Sequence, residues 1–146
     1  MHKLPTWLLI IIVIVFLGGV IQLIPYGHTH ANPPITGEPQ WNNSAIRELT
    51  KRTCFDCHSN ETNWRWYTNI APSSWLVARD VEEGRDRLNF SEWDKPGSQK
   101  DFDEIEEVIQ EGEMPPFQYL LLHPEARLTA VEKQDLIQAL HASLAK

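Results

Sequence analysis

The chain has 146 residues, of which 42 % are hydrophobic and 23 % charged, and its formal net charge is −7. An acidic balance of this kind repels a phosphate backbone and excludes nucleic acid as the expected partner. Six tryptophans argue against disorder, and two cysteines cannot make a disulfide framework.

The first predicted element is apolar on every face. Trp7 to Pro25 reads WLLIIIVIVFLGGVIQLIP, with Gln22 its only strongly polar residue. At about 1.5 Å per residue such a run approaches one bilayer core, so residues 7–25 are expected to form an uncleaved transmembrane anchor. The rival is a cleaved signal peptide, whose apolar region is shorter; Thr29 and Ala31 are the nearest approach to a cleavage site. Lys3 precedes the run and Arg47 is the first basic residue after it. The positive-inside rule then puts residues 1–6 in the cytoplasm and the remainder outside it, giving a single-pass inner-membrane protein of a bacterium with its domain on the periplasmic side. Residues 26–42 carry Pro, Gly and no apolar periodicity and read as a tether. His28 and His30 within it lack a third ligand nearby and read as a solvated pair.

Residues 43–146 read as a small all-α domain with long loops. Ser44 can cap a helix with Ile46, Leu49, Thr53 and Cys57 on one face. Pro72 can open a second, whose stripe is Val77, Val81, Gly84 and Leu88. Ser98 with Asp101 can start a third, burying Phe102, Ile105, Val108 and Ile109. Thr129 with Glu132 can cap a fourth, lined by Leu136, Ile137, Leu140 and Leu144.

Cys54-Phe55-Asp56-Cys57-His58 is CxxCH, the attachment signature of c-type haem. Two thiols three apart can reach the two vinyl groups on one porphyrin edge, and the adjacent imidazole can reach the iron. A redox CxxC does not need His58, and a zinc site wants two further ligands that the folded part does not offer as a pair. One covalent haem c is therefore expected, with His58 as the proximal ligand. Met114, the only methionine besides Met1, lies in Gly112-Glu113-Met114-Pro115-Pro116, where two prolines stiffen the chain. It is the expected distal ligand, with His123 as the rival. Trp64 and Tyr67 follow the motif and can pack on a porphyrin. Of Arg65, Arg79, Arg85 and Arg87, one or two can pair haem propionates, and Arg79 is the leading candidate. The second nitrogen of His58 needs an acceptor, for which a backbone carbonyl near Ile70–Pro72 is expected.

The segments CFDCHSNETNWRWY, IAPSSWLVARDVEEGR, LNFSEW, GEMPP and YLLLHPEARLT resemble the bacterial haem-binding-domain family, over about residues 41–146. Its members are short, membrane-anchored proteins with a single CxxCH, usually described as monohaem c-type cytochromes. The resemblance implies covalent haem at Cys54 and Cys57, ligation by His58 and a periplasmic domain. Broader similarity to small cytochromes c suggests Met114 as distal ligand and a cytochrome-c-like helical domain, although the four helices and the Trp-rich insert do not map simply onto that core.

Three functions follow as expectations. The first is a carrier of electrons between membrane or periplasmic redox partner proteins, without enzymatic activity or a small-molecule substrate. The second is a structural haem subunit of a larger respiratory assembly. The third is a haem enzyme, peroxidase-like, or a gas sensor with an open distal site.

Overall fold

The computed structural model describes residues 4–41, 43–96 and 102–144, with Leu144 described by its backbone alone. The proposed Ser98–Asp101 cap, Lys3 and the side chain of Leu144 lie outside the described residues. The regular structure is helical: α1 (Thr6–Ile21), α2 (Ser44–Thr53), α3 (Phe55–His58), α4 (Ser73–Arg87), α5 (Phe102–Glu111), α6 (Phe117–Leu122) and α7 (Ala130–Leu144). Two 3₁₀ turns, Trp66–Asn69 and Pro124–Ala126, and one isolated bridge between Gly37 and Glu92 complete it. The chain divides into two compact units, Met1–Ala31 with Trp64–Asp80, and Asn32–Asn63 with Val81–Lys146.

The first unit overturns the expected anchor. α1 is 16 residues long and ends at Ile21, so it spans roughly 24 Å, short of a hydrocarbon core of about 30 Å. Among the described residues no helix is long and apolar enough to cross a membrane. The expectation of a transmembrane helix over 7–25, and with it the single-pass inner-membrane placement, is corrected accordingly. The physical reason is local. Gln22, counted in the apolar run, ends the helix instead of continuing it. Its Nε2 donates to the Ala71 carbonyl (3.0 Å) and its Oε1 accepts from the Ala71 N–H (2.9 Å). In the same unit His30 stacks on Trp64 at 4.6 Å and places Nε2 3.1 Å from the Thr68 carbonyl. His30 is thus part of the packing around the Trp66–Asn69 turn rather than a free member of a linker.

The second unit holds the core: Phe55, Leu88, Phe90, Trp93, Ile109, Leu136, Ile137 and Leu140, with Trp41, Leu49, Cys54 and Ile105 packed against it. Phe90 stacks on both Phe55 (5.6 Å) and Trp93 (5.8 Å), so a ring from within the CxxCH segment is tied into the aromatic core. α2 is capped by Asn43, whose side chain accepts from the Ile46 N–H (3.0 Å), one residue before the expected Ser44. The helix expected to run from Ser44 through Cys57 breaks at Cys54, whose ψ of −31° and φ of −125° leave the helical region before α3 begins. α7 starts as expected: Glu132 Oε2 accepts from the Thr129 N–H (2.8 Å) and the Glu132 N–H donates to Thr129 Oγ1 (3.2 Å). Its Leu136, Ile137 and Leu140 are buried. Arg52 of α2 reaches Glu132 (2.5 Å) and the Glu125 carbonyl, tying α2 to the start of α7.

Candidate haem site

α3 is a single turn of four residues, too short to be stable alone. It is held from outside by residues 84–90. Gly84 sits so close that a Cβ there would meet the Cys57 carbonyl oxygen at 2.5 Å. Arg85 Nε donates to the Ser59 carbonyl (2.8 Å), while its Nη2 reaches Thr62 Oγ1 (2.9 Å) and Asn32 Oδ1 (3.0 Å). The Phe90 N–H donates to the His58 carbonyl (2.8 Å). His58 Nδ1 lies 3.1 Å from the Leu88 carbonyl. The acceptor for the second nitrogen is therefore Leu88, not the expected Ile70–Pro72 segment. α4 runs past the motif in this region and its chain end delivers the carbonyl, whereas Ile70 and Ala71 belong to the first unit.

Above this turn lies a cavity of about 290 Å³. Cys54 and His58 form one wall and Arg87, Leu88 and Phe90 a second. Glu104, Ile105, Val108 and Ile109 of α5, Leu140 of α7 and Met114 close the rest. All of these belong to the second unit. The lining is mostly apolar, with Arg87 and Glu104 its charged members. Met114 reaches the cavity because α5 ends in a tight turn. Gly112 adopts φ +77°, and the N–H groups of Glu113 (3.0 Å) and Met114 (3.1 Å) both donate to the Val108 carbonyl. The Met114 side chain is 39 % exposed.

The other sequence-derived candidates lie elsewhere. Cys57 packs beneath Gly84 and is not on the cavity lining. Trp64, Tyr67 and Arg79 belong to the first unit, where Trp64 stacks on His30 and Tyr67 meets the edge of Trp66. His123 is buried, 4 % exposed, with its ring stacked on Tyr119 at 4.1 Å and Nδ1 3.3 Å from Glu125 Oε1. It does not line the cavity. Leu88 as carbonyl acceptor, and Glu104 and Leu140 as wall residues, were not singled out as site residues from the sequence. The signal available for Leu88 was its place at the end of the Val77–Val81–Gly84–Leu88 stripe.

Burial pushes the Cys54 thiol up to about 11, a shift only partly opposed by the Thr53 hydroxyl. It is a protonated thiol at neutral pH. Burial likewise lowers the His58 imidazole below its ordinary value, against the hydrogen bond to Leu88, and keeps it neutral and able to ligate a metal. Cys54 and His58 retain some exposed surface because they face the cavity, while protein surrounds them. Among the described residues no group of three or more His, Cys, Asp and Glu side chains could hold a bare metal ion. The donor set suits a porphyrin-bound iron instead, which needs only one or two protein ligands: a neutral imidazole oriented through Nδ1, a thioether, and a thiol on an apolar cavity.

Residues 16–142 match the model of the family described as the haem-binding domain, and the chain belongs to that family. It is a haem-binding protein. It is also similar to the cytochrome c peroxidase Ccp of Escherichia coli (strain K12), 28 % identical over 102 residues. That match covers 66 % of this chain but 22 % of the peroxidase, so the chain spans less than a quarter of that relative's length. No solved structure matches.

Proposed function

We propose that the chain is a monohaem c-type electron-transfer protein. Cys54 and Cys57 would hold the porphyrin through thioethers, and His58, through Nε2, and Met114 would ligate its iron. The bound haem supplies one-electron cycling between ferric and ferrous iron. One observation carries the reading: Cys54, His58 and Met114 line one apolar cavity, and the Leu88 carbonyl engages Nδ1 of His58, leaving Nε2 for the metal. The protein's own contributions follow. The Leu88 carbonyl fixes the ring's tautomer and orientation. Ile105, Val108, Ile109 and Leu140 exclude water, and Arg87 offers a positive charge at the cavity. A Met thioether favours ferrous iron and raises the potential.

The test is the absorption spectrum of the purified holoprotein with and without carbon monoxide. The reading expects the weak long-wavelength sulfur-to-iron band in the ferric state and slow or absent carbon monoxide binding. Rapid binding would replace it with a second reading, peroxide reduction or gas sensing at an open iron. The similarity to a cytochrome c peroxidase favours that alternative, and the small share of the peroxidase that is matched weighs against it.

A further inference from the structure

Asp56 occupies the second variable position of CxxCH, between the two cysteines, and both its oxygens are engaged. Oδ1 accepts from the Asn63 N–H (2.9 Å) and Oδ2 accepts from the Tyr119 hydroxyl (2.8 Å). Tyr119 lies on α6, five residues after Met114. The intervening Pro115 and Pro116 restrict backbone rotation, so a shift of α6 is passed along the chain rather than absorbed. At the end of α6 the Tyr119 ring stacks on His123, the buried residue that terminates the helix.

Met114 is substantially exposed, and its backbone N–H donates to the Val108 carbonyl, on the α5 side. The α5 side therefore fixes one end of the loop, and something must fix the other. We propose that the hydrogen bond from Tyr119 to Asp56 fastens the Met114 loop to the CxxCH turn and so sets how readily the distal coordination position opens; this rests on the reading of Met114 as the distal ligand. Tyr119 is then a positioning residue that couples the two sides of the haem without lining its cavity. The coupling runs through a contiguous set of contacts: Asp56, Tyr119, the diproline and Met114.

The experiment uses the full-length ferric holoprotein and follows cyanide binding in the Soret band, together with the sulfur-to-iron band and the thermal midpoint. Tyr119→Phe keeps the ring and its stack on His123 and removes only the hydroxyl. It should bind cyanide about tenfold faster, the scale of one lost hydrogen bond to a charged group, and weaken the sulfur band. Asp56→Ala should do the same, and the double variant should exceed neither single change. Asp56→Asn leaves one acceptor oxygen for two donors, the Asn63 N–H and the Tyr119 hydroxyl, and should fall between wild type and Asp56→Ala. A purely structural role would lower the thermal midpoint and leave the sulfur band intact, which would overturn the proposal. So would a wild-type cyanide rate in Tyr119→Phe alongside fast binding in Met114→Ala, or additive effects of Tyr119→Phe and Asp56→Ala. If Met114→Ala itself leaves the band and the cyanide rate unchanged, the assignment of the distal ligand fails, and the fastening proposed for it falls with it.

Discussion

The His58 Nδ1 nitrogen sits 3.1 Å from the Leu88 carbonyl oxygen, across 30 residues of sequence. The pairing fixes which imidazole nitrogen is left for a metal, and it depends on how closely residues 84–90 approach α3. Gly84 is one point of close approach. In Gly84→Ala the new Cβ would meet a backbone oxygen at 2.5 Å, which cannot rotate away as a side chain could. Alanine gains about 1 kcal/mol of helix propensity there, but overpacking costs about 1–3 kcal/mol. The net expectation is a loss of up to about 2 kcal/mol in denaturant unfolding and a lower yield of haem-loaded protein.

Attachment is checked on denaturing gels stained for haem. Cys54→Ala and Cys57→Ala should each retain one thioether, and the double variant none. Haem that survives denaturation in the double variant would remove covalent attachment from the proposed function.

The haem-free protein should lose amide protection around the cavity. Its wall is made by short or separate pieces, α3, the 87–90 segment, the Met114 loop and parts of α5 and α7, that depend on one another through the space they enclose. Hydrogen exchange on apo and holo forms measures this. Equal protection of Cys57–Ser59 and Val108–Met114 in both forms would contradict it.

The two candidate distal ligands separate cleanly in redox titrations. Met114→Ala should lower the potential and abolish the sulfur-to-iron band, because Met ligation raises the potential. His123→Ala should change neither, since His123 packs on Tyr119 outside the cavity. The reverse pattern would identify His123 as the ligand.

An acidic limb in stability is expected from Glu38. The Arg47 guanidinium, at 2.6 Å, holds its carboxyl below the usual carboxylate value of 4.5, with a smaller contribution from the Trp41 N–H. A carboxylate with a depressed folded pKa contributes stability that is present above the unfolded value and is lost as pH falls through the folded one. Glu38→Gln should cost about 0.5–1 kcal/mol at pH 7, since both partners are partly exposed, and should flatten the loss of stability below pH 4.5. Urea titrations at pH 7 and pH 3 measure both.

Much of the site was legible because it rests on local chemistry. CxxCH is contiguous, the Met-Pro-Pro loop follows from two imino acids, and the Thr129–Glu132 cap uses a three-residue spacing. The α5 stripe was equally readable, and Ile105, Val108 and Ile109 line the cavity. What escaped depends on partners distant in sequence. Gln22 looks like one polar residue in an apolar run until Ala71 presents both an N–H and a carbonyl to it. The Leu88 carbonyl is invisible in principle, because a backbone acceptor carries no sequence signature; only the tertiary path of α4 selects it. Trp64 drew attention as an aromatic after the motif, but stacking on His30 places it in the other unit. Asn43 and Ser44 are both good capping residues, and only backbone geometry distinguishes them.

The four-residue α3 has a kinetic consequence. The carbonyls of Cys57 and His58, and that of Ser59 just past it, are met by Gly84, Phe90 and Arg85, so the turn borrows its shape from a segment that emerges nearly thirty residues later. Closing a loop of that length carries an entropy cost that must be met before any of those contacts forms. Until it closes, Cys54 and Cys57 lack these partners, and the burial that raises the Cys54 thiol in the folded state is not yet in place. The accessible form of the motif and its finished form therefore belong to different stages of the chain's life, divided by the arrival of residues 84–90.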